Sequence, residues 1–138
     1  MPKITKALKL ALILPAMTFL IAGVLWYPYR SGDVPEWKIQ IVDTDGHPVA
    51  GIRANQEWLD PIEDGKTMVD TQQANAQGFV VFPRRPLHNR LAFGAPQYQP
   101  SAHVYICGEG QYGQAFWDAK DQGMVTKLEL KIGACPFA

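Results

Sequence analysis

Cysteine is scarce in this chain: Cys107 and Cys135 are the only two in 138 residues. So few exclude a disulfide-dense scaffold and a cysteine-built metal centre, and leave room for one cross-link. An excess of charge is missing too. Thirteen basic and thirteen acidic residues cancel to a formal net charge of +0, and no aromatic-basic motif of the RNA-binding kind occurs, so nucleic acid is set aside as a partner. Histidine is limited to His47, His88 and His103, scattered along the chain. His103 and Cys107 share one strand face but lie about 13 Å apart by strand rise, too far to hold one ion. Internal repeats, low-complexity tracts and a Gly-x-Ser-x-Gly nucleophile elbow are absent. Outside the N-terminal stretch no segment sustains the 3.6-residue period of a helix.

What is present begins with residues 10–29, LALILPAMTFLIAGVLWYPY, twenty residues without a charge. As a helix rising about 1.5 Å per residue they reach roughly 30 Å, the thickness of a bilayer core. Lys3, Lys6 and Lys9 precede the stretch, while Arg30, Asp33 and Glu36 follow it. The positive excess therefore stays in the cytoplasm and the rest of the chain lies outside. Trp26, Tyr27 and Tyr29 cluster at the far end, where aromatic rings favour the headgroup layer. The expected layout is a basic start and transmembrane helix over 1–30, a linker over 31–36 and an extracytoplasmic domain over 37–138. The competing layout is a cleaved signal peptide and a secreted domain. Retention is favoured because Ala22 and Gly23 lack a good small-x-small cleavage pattern and the apolar run continues through Val24, Leu25 and Trp26.

Outside the cytoplasm oxidation is favoured, so Cys107 and Cys135 are read as a disulfide, with two buried free thiols as the alternative. Closing a loop of about 29 residues stabilises a fold by roughly 3–4 kcal/mol in the chain-entropy model.

The domain reads as strands. In WKIQIVD, Trp37, Ile39 and Ile41 alternate with Lys38 and Gln40, the period-two pattern of a sheet face on a core. In MVTKLELKI, Thr126, Leu128, Leu130 and Ile132 alternate with Lys127, Glu129 and Lys131. GFVVFP, apolar on both faces, reads as a central strand ended by Pro83, and RPLHNRLAF as a turn or two of helix. With VAGIRAN, KTMVD, HVYIC and QAFWD there are about seven short strands, which points to an antiparallel sandwich. Asp43, Asp45 and Gly46 open like a calcium loop but lack its later ligands, so they are read as a bend.

The order of parts resembles a known group. VDTDGHPVAGIRA, followed about twenty residues later by TQQANAQGFVVFPRR, is similar to the carboxypeptidase-regulatory-like, transthyretin-like β-sandwich domains over residues 37–85. The resemblance implies an all-β fold, a seven-stranded antiparallel Greek-key sandwich, here after one N-terminal transmembrane helix. It implies no activity, since most such domains look like accessory or binding modules. The catalytic tail of the ureide-hydrolysing relatives is missing, the chain ending in GACPFA, and the histidines are too scattered for an intradiol dioxygenase iron site.

The expected function is that of a membrane-tethered, non-catalytic interaction or structural module of the cell envelope. None of the three histidines has a carboxylate, cysteine or serine immediately beside it in sequence, and no catalytic residue, metal ligand or cofactor site is assigned. The expected partners are the membrane, through the helix, and an envelope protein. The alternative partner is a carbohydrate or peptidoglycan, contacted by the aromatic residues Trp58, Tyr98, Tyr112 and Trp117. An enzyme of this fold is a third reading. Against contact stands plain core packing, with Trp58 lying in the insertion NQEWLDPIEDGK. A concave site in which a histidine meets an acidic residue would favour catalysis, and a long unpaired sheet edge would favour a protein partner.

Overall fold

The computed structural model describes residues 6–60, 66–90, 99–120 and 123–136. Among them one helix, α1 (Lys6–Trp26), precedes ten strands. These are β1 (Pro28–Val34), β2 (Trp37–Val42), β3 (Arg53–Leu59), β4 (Thr67–Gln73), β5 (Phe79–Phe82), β6 (Arg85–Arg90), β7 (Ser101–Gly108), β8 (Gln111–Asp118), β9 (Lys127–Glu129) and β10 (Lys131–Ile132). They form a two-stranded ribbon, β1-β6, a five-stranded sheet, β10-β8-β7-β3-β4, and a three-stranded sheet, β5-β2-β9. The chain is mostly β, as its alternation leads one to expect.

The two larger sheets share one core. Trp37, Ile39 and Ile41 come from β2, Val80 and Phe82 from β5, Val104 and Ile106 from β7, and Leu128 and Leu130 from the C-terminal run. Each large side chain so buried is worth about 1.5–3 kcal/mol relative to exposure. The one polar edge of Trp37 is satisfied, because Nε1 donates to the Val125 carbonyl at 2.7 Å.

Several elements depart from the sequence reading for local reasons. The strands are not all antiparallel: β2 pairs with β9 in parallel, Gln40 against Lys127. The alternating run near the C-terminus is split between two sheets, β9 joining β2 and β10 joining β8. Leu130 marks the crossing, its N–H donating to the Val42 carbonyl at 2.8 Å, and beyond it Ile132 is 78% exposed. GFVVFP forms an edge strand rather than a central one, with Val81 turned to water and Phe79 covered by the Lys38 ammonium, 4.6 Å from the ring centroid. Residues 31–36, expected as a linker, lie mostly in β1, and RPLHNR is its antiparallel partner β6, not a helical turn. Val34 and Leu87 tie that ribbon into the core.

The uncharged stretch at 10–29 is helical only to Trp26; Pro28 and Tyr29 belong to β1. The apolar helical part is therefore about 25 Å long at 1.5 Å per residue. Among the described residues, no helix is long and apolar enough to cross a membrane. The side chains of Ile13, Leu14, Met17, Phe19, Leu20, Ile21 and Val24 are all exposed.

Two loops are built alike. In the first, the Asp43 carboxylate accepts hydrogen bonds from the backbone N–H groups of Asp45 and His47, at 2.9 and 2.8 Å. In the second, the Asn75 side-chain oxygen accepts from those of Gln77 and Phe79, at 3.0 and 2.9 Å. Each loop closes with a glycine at positive φ, Gly46 at 84° and Gly78 at 75°. The bend expected at Asp45-Gly46 is therefore present, and it has a twin. The two interlock: Ile41 N–H donates to the Gly78 carbonyl at 2.8 Å, and a Cβ at Gly78 would lie 2.6 Å from the Ile41 oxygen.

Val104 and Ile106 point into the core, so alternation sends Cys107 outward. There it is bonded to Cys135, with the two Cα atoms 5.5 Å apart.

Candidate functional site

Alternation along β3, β7 and β8 gives the five-stranded sheet an outward face opposite its core face. Register aligns a row across it: Val69 lies opposite Glu57, Glu57 opposite His103, and His103 opposite Phe116. The next row brings Thr71, Asn55, Tyr105 and Gln114 together in the same way. At one end of this face is an open depression of about 340 Å³, whose lining includes Glu57, Leu59, Thr67, Ser101, His103, Phe116 and Asp118.

Its walls are held in place by specific contacts. The His103 and Phe116 rings stack, with centroids 4.1 Å apart and planes 3° from parallel. Burial lowers the pKa of His103, and the Glu57 charge and a hydrogen bond to Gln114 only partly oppose it, so the imidazole stays neutral at neutral pH. Tyr105 moves the other way. Burial raises its pKa, and its hydrogen bond to Glu57 raises it further. The face thus carries a carboxylate, a neutral imidazole and a protonated phenol in contact, a polar cluster on an aromatic and aliphatic floor.

Of the aromatic residues singled out from sequence, Trp58 and Trp117 line this depression from the row beneath, and Tyr112 does not. Trp58, Ala102 and Trp117 are cross-strand partners on the core-facing row. Trp117 is buried, and Trp58 packs half-buried against the core with the Arg85 guanidinium 4.7 Å from its ring. Both border the depression, but alternation turns their side chains toward the core. Tyr112 stands opposite Cys107 and packs near Gly133 in the disulfide-linked tail, away from the depression. Tyr98 lies outside the described residues. Glu57, His103 and Phe116 were not singled out as a group, because residues so far apart in sequence meet only through pairing of β3, β7 and β8.

The other two histidines also meet carboxylates. His88 Nδ1 is 3.7 Å from Asp60 and His47 Nδ1 is 3.6 Å from Asp43. Asp43, Asp45 and His47 each place a ligand atom within 4.8 Å of the others, on the surface. This is the only group among the described residues with the donors for a cation, and the Asp43 carboxylate is already engaged in shaping its loop.

The same sheet ends in an edge. Strand β4, seven residues long, has β3 on one side and no strand on the other among the described residues. Its Met68 and Val69 are exposed. It contains no proline or lysine, the usual guards of such an edge.

No family model matches the chain, and no curated protein matches it.

Proposed function

We propose that this protein is a single-pass membrane protein of the cell envelope, with its N-terminus in the cytoplasm and a transthyretin-like β-sandwich outside, acting as a non-catalytic protein-interaction module. The observation that carries the interaction reading is β4. Seven residues of open edge, with exposed Val69 and Met68, offer main-chain hydrogen bonds and alternate side chains to an extended segment of a partner. Tethering is supported by the uncharged sequence at 10–29, by the three lysines before it and by the exposed apolar surface of α1. About 17 uncharged helical residues are at the short end of what spans a bilayer, which local thinning accommodates at modest cost.

A photo-crosslinking residue at position 69 should yield one adduct of defined mass in intact cells. The same residue at Val81, on the edge of the three-stranded sheet, should yield none. Met68→Lys, which places a charge on the β4 edge, should reduce the adduct several-fold. Equal labelling from both edges, or co-sedimentation with isolated peptidoglycan in place of a protein adduct, would replace this reading with a non-specific surface or a glycan-binding module. One observation speaks against the non-catalytic reading: Glu57 and His103 meet in one depression, the arrangement expected to favour catalysis, and this gives the reading a direct test. Hydrolysis of an ester, amide or ureide by the purified chain, lost in His103→Ala, would overturn it.

A further inference from the structure

We propose that Arg30 and Arg84, held on the outward face of the β1-β6 ribbon by the carboxylate of Asp33, form a binding site for a phosphate ester. The site exists because β1 is irregular. Plain alternation would put residues 30 and 33 on opposite faces of the strand. The register shifts between Arg30 and Gly32, so that Arg30 stands opposite His88 and Asp33 opposite Pro86. Residues 86 and 88 share a face of β6, and the bulge therefore brings Arg30 and Asp33 to one side of the ribbon. The other side is the core side, where Val34 and Leu87 are buried. Glycine suits the position opposite Leu87, since a Cβ at Gly32 would lie 2.9 Å from Pro100 Cγ.

Arg30 Nε and Nη2 donate to Asp33 Oδ1 at 2.9 and 2.5 Å, and Arg84 Nη2 donates to the other oxygen, Oδ2. Among the described residues Asp33 is the one carboxylate that either guanidinium meets, so two positive charges share a single negative one. Exposure decides which sign a ligand meets. The two arginine side chains are 58% and 65% exposed, whereas that of Asp33 is 13% exposed beneath them. The carboxylate acts as a clasp, fixing two planar groups before a ligand arrives and leaving each of them further N–H donors. A phosphate matches this arrangement, because its charge is spread over several oxygens that paired guanidiniums bond in a fork. Strand β1 opens at Pro28, directly after α1 ends at Trp26, which puts Arg30 within about 13 Å of the helix end by strand rise. A phospholipid headgroup and a soluble phosphate ester share this chemistry. The headgroup source rests on the tether proposed above, the soluble source does not, and neither needs the β4 edge.

The test uses the full chain in maltoside micelles at low ionic strength, with arginine side chains isotopically labelled. It is titrated with inorganic phosphate, with glycerol phosphate and, in separate mixed micelles, with phosphatidylglycerol, phosphatidylcholine serving as the zwitterionic reference. The Arg30 and Arg84 Nε–H resonances should shift along a saturable curve. A shift with phosphatidylglycerol alone would assign the site to a headgroup, and one with the soluble phosphates to a free ester. Arg30→Gln and Arg84→Gln should each weaken binding about tenfold, by the worth of a charge-assisted hydrogen bond. Arg53→Gln, which removes an exposed arginine from the five-stranded sheet, should leave it unchanged. All three variants should melt near the parent, since these side chains lie on the surface. Lack of a saturable shift with every phosphate, an equal shift with phosphatidylcholine, unchanged binding in either ribbon variant, or an equal loss in Arg53→Gln would overturn the proposal.

Discussion

At Asp43 and Asn75 the same work is done by an acid and by its amide. Each side-chain oxygen gathers two backbone N–H groups of a five-residue loop. Asn75→Ala should remove both bonds and cost about 1–2 kcal/mol in urea unfolding, by the usual net worth of a hydrogen bond. The acid adds a dependence on pH that the amide lacks. The backbone hydrogen bond from His47, above all, lowers the Asp43 pKa below its ordinary value. Stability from Asp43 is therefore complete above the unfolded carboxylate pKa and is lost as pH falls through the lowered folded value. Asp43→Asn should keep the loop and flatten part of the acid limb of melting temperature against pH. Asp33 would keep its share of that limb, its carboxyl being held down first by Arg30 and then by Arg84. Gln56 presents the opposite case, fully buried with neither end of its amide hydrogen-bonded. Gln56→Leu should raise stability by about 1–2 kcal/mol in the same unfolding assay, since it removes a buried group that has exchanged water for nothing. Asp45-Gly46 was legible in sequence because turn chemistry is local. The meeting of Glu57, His103 and Phe116 was not, because register across three strands decides it.

Elements were legible where one face alone is buried. WKIQIVD alternates and becomes β2, and HVYIC alternates and sends Cys107 outward as its parity requires. Where tertiary contacts override the pattern, reading fails. MVTKLELKI has one continuous period yet serves two sheets, because Leu128 and Leu130 both enter the core and the chain passes from β2 to β8 only after Leu130. GFVVFP is apolar on both faces yet lies at an edge, its outer side shielded in part by Lys38. The short β10 is joined to the sheet through only Lys131 and Ile132, so the tail after it is held chiefly by Cys135. Cys135→Ser should lower the melting temperature, equivalent to about 3 kcal/mol for a closed loop of this length, without changing the circular-dichroism spectrum of the domain.

At the scale of the whole molecule the prediction is one of sidedness. A reporter active only outside the cytoplasm, fused after Ala138, should be active, and intact mass should show that the N-terminal segment is retained. Activity of a cytoplasm-only reporter, or a mass lacking the first 20–30 or so residues as a cleaved signal peptide would leave it, would discard the tether. This expectation rests on composition alone, on lysines to one side of an uncharged stretch. Composition did not show that β1 begins at Pro28, directly after the helix, and pairs with β6.

The parallel pairing of β2 with β9 has a consequence for biosynthesis. The chain is made from its N-terminus, so the first strand of the larger sheets emerges long before Lys127–Glu129, the partner that completes its sheet. Until then Ile39 and Ile41 lack Leu128 and Leu130 above them, and β2 has β5 on one side only. Such distant closure is slow and leaves a nascent apolar strand open to wrong pairing, including with another copy. The half-made domain therefore keeps an open sheet until β9 and the segment after it are delivered, which also bring Cys135 within reach of Cys107.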